Sequence, residues 1–114
     1  MMKKVLMSLS AVTLLTLSAS AMAAGNVAAG QQKSATCAGC HGATGNETLD
    51  ASYPRLAGQH ASYLEQALAA YRSGERKNPI MAGFAAALSD QDIADLSAYF
   101  ASQDSTLGII PEGQ

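Results

Sequence analysis

Cys37-Ala38-Gly39-Cys40-His41 constrains this chain more than any other stretch, because C-x-x-C-H is the attachment pattern of a c-type haem. Each thiol adds across a haem vinyl group to give a thioether, and the histidine is delivered to one axial face of the iron. Ala38 and Gly39 are small enough to let the backbone lie against the porphyrin edge. Three other readings of the pair compete. A thioredoxin-like couple requires a strand-helix setting, and the sequence offers no convincing strands. A structural zinc requires four spaced ligands, whereas the chain holds two cysteines and two histidines. A plain disulfide between Cys37 and Cys40 leaves His41 unexplained. The haem reading alone uses all three side chains, so the rest of the sequence is read for what a haem still needs.

The 114 residues suit one domain behind an export signal. Met1 to Lys4 is basic, Val5 to Ser18 is mostly apolar, and Ala21-Met22-Ala23 fits the small-x-small cleavage rule. The expected division is a cleaved signal peptide over residues 1–23 and a haem domain over 24–114. The apolar run is shorter than the roughly 20 residues that span a bilayer, so the segment reads as a leader, with an uncleaved anchor as the competing reading. Export to the periplasm agrees with covalent haem attachment. Loss of the leader removes Lys3 and Lys4 and leaves the domain more acidic than the formal −2 of the whole chain. No basic stripe for nucleic acid or anionic lipid is present. With two phenylalanines and no tryptophan, a domain this small has little apolar volume of its own. A buried haem would supply it.

Val27 to Thr36 reads as a first helix running into the haem motif, with Val27, Gly30 and Ser34 along one side and Lys33 turned outward. A mid-helix glycine is unfavourable by about 1 kcal/mol against alanine, so Gly30 is expected to admit a neighbouring helix closely, unless the helix merely starts late. Gly42 to Asn46 is turn chemistry, and no regular element is expected before Gln59. Within that loop the Pro54 carbonyl is the candidate acceptor for the second ring nitrogen of His41, since a ligand histidine ordinarily donates to such a group; a proline that only stiffens the loop is the alternative.

Gln59 to Ser73 carries the strongest helical period, with Tyr63, Leu64, Ala67, Leu68 and Tyr71 on one face and Glu65, Gln66 and Arg72 outside. Gly74 takes the C-terminal capping place. His60 reads as a surface residue. Gly74 to Leu88 reads as irregular. Four of the five methionines fall in the leader, leaving Met81 as the one remaining thioether. Methionine is ordinarily a gap-filling core residue. Its position after the Asn78-Pro79 turn, far downstream of His41, makes Met81 the candidate ligand on the opposite haem face. Ser89 with Asp92 forms a capping-box variant that opens a last helix through Ser102, burying Ile93, Leu96, Tyr99 and Phe100. Beyond Gln103 the sequence reads as a loosely held tail, with Leu107, Ile109 and Ile110 available to pin part of it.

The motif near the start, the lone methionine and the last amphipathic helix resemble class I c-type cytochromes. Tyr53 to His60 and Leu88 to Phe100 look closest to bacterial cytochrome c-553 and to one half of the dihaem cytochrome c4. The missing second cysteine pair argues against the short cytochrome c5 type. The resemblance implies an all-α fold of three to five short helices around one covalently attached haem c, with the first and last helices crossing near Gly30 and Leu96 and Tyr99 packing on the gap. It implies Cys37 and Cys40 as thioether sites, His41 and Met81 as iron ligands and Pro54 as the acceptor behind His41. Arg55 is assigned to a haem propionate, with a solvated arginine as the alternative.

With both axial places filled, the expected function is a soluble periplasmic one-electron carrier, not an enzyme. It would serve transient partners: a membrane quinol-cytochrome c oxidoreductase-type donor and a terminal oxidase or reductase acceptor. Electrons are expected to pass at a haem edge ringed by Ala38, Gly39, Ala82 and Gly83. The alternatives are a haem-based gas or peroxide sensor and a haem subunit of a larger oxidoreductase.

Overall fold

The structure, a computed structural model, describes residues 23–105. The expected leader, but for Ala23, lies outside the described residues, as does the tail from 106 onward with Leu107, Ile109 and Ile110. Five helices follow in order: α1 (Val27–Lys33), α2 (Ala35–His41), α3 (Ala61–Ser73), α4 (Pro79–Ala85) and α5 (Asp90–Ala101). Among the described residues there is no strand, so the expected all-α class holds.

The first helix extends further than its sequence suggested and is interrupted. Helical backbone continues through the whole C-x-x-C-H motif to His41, with a break at Ser34. The Ser34 hydroxyl turns back onto the Gln31 carbonyl at 2.8 Å, and the Cys37 amide bonds to Ser34 O at 2.9 Å. That spacing of three tightens the turn and divides the helix in two.

A second correction concerns Gly74 to Leu88, where a short helix, α4, replaces the expected irregular run. Asn78 caps it by accepting from the amides of Ile80 and Met81 at 3.0 and 3.1 Å, and Pro79 occupies its first turn. Proline there loses nothing, because that amide has no helical partner. At the other end of the connection Gly74 closes α3 in the left-handed conformation, φ 81°, which a residue with a Cβ adopts only with strain.

The last helix forms as its cap residues indicate. Ser89 Oγ accepts from the Asp92 amide and the Asp92 carboxylate accepts from the Ser89 amide, so two otherwise orphaned donors are satisfied reciprocally. Ile93, Leu96, Tyr99 and Phe100 are all buried.

α5 is the axis of the packing, with α1 on one side and α3 on the other, while α4 packs on α3. Leu64, Leu96, Tyr99 and Phe100 form the core, and Cys37, Leu56, Leu68 and Leu88 pack against it. Burying each such side chain stabilises the fold by about 1.5–3 kcal/mol. α1 and α5 meet at Gly30, as expected. A Cβ there would overlap the Asp95 carbonyl and stand 2.7 Å from Tyr99 Cβ. Tyr99 is thus at the crossing, with the Asp95 backbone beside it.

Lys33 does not point outward. Its ammonium reaches Asp92 at 2.8 Å and Asp95 at 2.6 Å. The Asp95 carboxylate, buried at 3 % exposure, also accepts from the Asn26 amide and the Gln91 side chain. Arg72 likewise turns inward, donating to the Leu88 carbonyl and pairing with Asp90 at the start of α5.

Candidate functional site

The helices enclose a cavity of about 420 Å³, within the usual range for small-molecule sites. Cys37, Cys40, His41, Pro54, Arg55 and Met81 all line it, so the fold gathers every candidate site residue around one space.

α2 carries the two cysteines and His41 on one wall. Because α2 is helical to its last residue, Cys37 and His41 stand one turn apart on the same face. Cys37 and Cys40 are not bonded to each other. Burial pushes the Cys37 thiol pKa up, against a smaller downward pull from the Thr36 hydroxyl.

His41 is buried, 6 % exposed. Its Nδ1 lies 2.8 Å from the Pro54 carbonyl oxygen. A carbonyl can only accept, so Nδ1 donates, and Nε2 is the ring nitrogen left for another partner. The Tyr53 ring meets the imidazole edge to face, 6.3 Å between centroids. The loop places Pro54 through its own bonds. Leu49 N donates to Cys40 O, and Leu56 N and Ala57 N both donate to Gly45 O. Asp50 accepts from the amide and hydroxyl of Ser52, which also lowers the Asp50 pKa.

Tyr63, Leu64, Leu68 and Tyr71 of α3 form much of the apolar side, and Leu96 and Phe100 of α5 form the floor. Met81 faces the cavity from α4, not from a loop. No Asp or Glu lines the cavity, and apart from His41 its ionisable cations are Arg55 and Arg76. Two readings of the cysteine pair lose their setting among the described residues, since there is no strand beside it and no cluster of three or more metal-binding side chains.

The expected edge residues fare differently. Ala38, Gly39, Ala82 and Gly83 are absent from the lining, and Gly39 and Gly83 face open space. His60 is exposed at the N-cap of α3. Among the lining residues that escaped the sequence reading are Ser97 and Arg76. Ser97 is fully buried with its hydroxyl unpartnered. Its place four residues after Ile93 on the helical period was the available signal. Arg76 sits in an aperiodic connection and had no such signal.

The site suits a haem c by the chemistry of its donors. Two thiols stand on one helix for the vinyl groups, an imidazole and a thioether share the space, and the wall is apolar. The arginines on the lining suit the propionates, and the orphaned Ser97 hydroxyl marks a space that another group completes.

Comparison with known proteins agrees with that chemistry. The cytochrome c family model matches residues 27–104. The chain is 49 % identical over 84 residues to cytochrome c-554(548) of Halomonas halodenitrificans, covering 71 % of this chain and 100 % of that protein. It is 45 % identical over 108 residues to cytochrome c4 of Pseudomonas aeruginosa, covering 95 % of this chain and 52 % of that one. The crystal structure of reduced recombinant cytochrome c4 from Pseudomonas stutzeri superposes with a TM-score of 0.69 at 40 % identity, over 75 % of this chain and 49 % of that chain. The chain therefore spans about half the length of these cytochromes c4 and the whole of the c-554(548) protein. With the C-x-x-C-H motif on a cavity wall and the match running almost from the start of α1 to past the end of α5, the chain belongs to the cytochrome c family, as a class I c-type cytochrome of the c4 type with covalently bound haem c.

Proposed function

We propose that the chain is a periplasmic one-electron carrier whose haem iron is ligated by His41 and Met81. The observation that carries this reading is that one cavity holds both donors, with Nδ1 of His41 already committed to Pro54 O at 2.8 Å. The haem, when bound, supplies reversible one-electron chemistry at its iron, and Met/His ligation raises its potential.

The chain's own residues do the rest. Cys37 and Cys40 would tether the group, and Pro54 holds the imidazole by Nδ1, which would leave Nε2 for the iron. Leu64, Leu68, Leu96 and Phe100 exclude water, which limits solvent rearrangement when the charge changes. Arg55, exposed at the cavity edge, neutralises a propionate. With His41 and Met81 both holding the iron, no position would be left for a substrate, and this favours a carrier over an enzyme. Its partners are transient: a membrane quinol-cytochrome c oxidoreductase-type donor and a terminal oxidase or reductase acceptor. Residues 1–23 act as a cleaved leader, and 24–114 form the haem domain. Among the described residues no helix is long and apolar enough to cross a membrane.

The test is the spectrum of Met81→Ala. The wild type should show the weak sulfur-to-iron band at the red end of the oxidised spectrum and a reduced spectrum unmoved by carbon monoxide. Met81→Ala should lose the band and bind carbon monoxide readily. Persistence of the band in Met81→Ala would refute the ligand assignment, and ready carbon monoxide binding by the wild type would favour a gas sensor. Fractionation of native cells, with the mass of the haem-stained product, tests export and cleavage.

A further inference from the structure

The wall that carries Met81 is held differently from the wall that carries His41. Of the helices, α4 packs against α3 alone. It joins α3 through the connection from Gly74 to Asn78, in which Glu75, Arg76, Lys77 and Asn78 are all exposed. Few bonds fix that connection. The Gly74 amide returns to Tyr71 O, and the Arg76 amide reaches Ala70 O at 3.0 Å. The Glu75 amide meets Ser73 Oγ at 3.4 Å, Asn78 caps α4, and the Arg76 side chain adds two ties to the cavity side of α3. Its Nη1 donates to the Tyr63 hydroxyl at 3.3 Å, and its guanidinium lies 4.9 Å from the centre of the Tyr71 ring. Tyr63 and Tyr71 are two helical turns apart on α3, so one planar cation spans the cavity side of that helix. All three residues line the cavity, as does Met81 five positions beyond Arg76.

We propose that Arg76 is a positioning residue for the sixth iron ligand: clasped between Tyr63 and Tyr71, it holds the α3–α4 connection closed and so sets how readily Met81 yields its place. The proposal rests on the reading of Met81 as a ligand. Guanidinium suits the task because it hydrogen-bonds in plane and stacks through its face at once, which an ammonium does not. Releasing it leaves only local bonds, the Gly74 and Arg76 amides at the α3 end and the Asn78 cap at the α4 end. The open population then rises, and an added ligand that binds the open form gains apparent affinity in proportion.

Imidazole titration of the oxidised holoprotein reads that population directly. Arg76→Gln should bind imidazole about tenfold more tightly than wild type, and Tyr63→Phe should move in the same direction by less. Lys33→Gln, which loosens the α1–α5 seam on the other side of the molecule, should lower thermal stability and leave imidazole affinity unchanged. Equal affinity in wild type, Arg76→Gln and Tyr63→Phe would overturn the clasp, provided Met81→Ala binds more tightly than all three. An equal rise in Lys33→Gln would also overturn it, by showing general loosening. Equal affinity in wild type and Met81→Ala would instead remove the ligand assignment beneath it, and the clasp with it.

Discussion

Lys33 stands between two carboxylates, and its pairing makes an acid-sensitive tie between α1 and α5. Its ammonium holds the Asp92 and Asp95 pKa values down from 3.8 to about 2. Backbone and side-chain donors add to this, from Ser89 at Asp92 and from Asn26 and Gln91 at Asp95. A carboxylate whose folded pKa is depressed contributes stability above its ordinary pKa and loses it as pH falls through the folded value. The stability difference between wild type and Asp95→Asn should therefore be full above about pH 4 and vanish toward pH 2, measured by thermal melts across that window. The raised Lys33 pKa works in the opposite sense, so its contribution persists until pH rises beyond the ordinary lysine range. Nothing local foretold this pairing, because Asp95 is 62 residues from Lys33, and a lysine on a helix reads as solvated unless its partner is known. The gathering of His41, Pro54 and Met81 on one cavity was legible because the attachment motif, a carbonyl acceptor and the one methionine among the described residues can be read without knowing the packing.

Helices with a strong period or a strong cap were visible in the sequence; those defined by tertiary setting were not. α5 announced itself through Ser89 and Asp92, and Ser89→Ala should lower stability by about 1 kcal/mol in a denaturant titration of the holoprotein. α4 carried a start signal in Asn78-Pro79, but seven residues do not suffice to display an amphipathic period. The expectation of a loop there followed from that lack. α1 depends on Gly30 in a way that propensity alone gets backwards. Alanine would favour an isolated helix by about 1 kcal/mol, yet here its methyl group would strike the Asp95 carbonyl. Overpacking of this kind typically costs about 1–3 kcal/mol. Gly30→Ala should be net destabilising by a comparable amount, read as a lowered denaturation midpoint with an unchanged attachment motif.

The described helices pack around one shared cavity of about 420 Å³. The all-α class and the gathering of six site residues were legible because a haem imposes them. The volume of the cavity and the identity of its Arg76 and Ser97 walls were not, since they depend on how α3, α4 and α5 close on one another. Cys37→Ala/Cys40→Ala should accordingly lose most of its far-ultraviolet helical signal when purified without haem. The core left to it is little more than Leu64, Leu96, Tyr99 and Phe100, which is slight for a domain of this size. A last consequence follows from α1 lying against α5. The two elements nearest the ends of the described chain are mutual supports, with Asn26 bonded to a residue 69 positions away. A polypeptide emerging amino end first cannot complete that handshake until its final helix arrives. During that interval the segment from Cys37 to His41 has already emerged, so its two thiols precede the locking of the two ends of the fold.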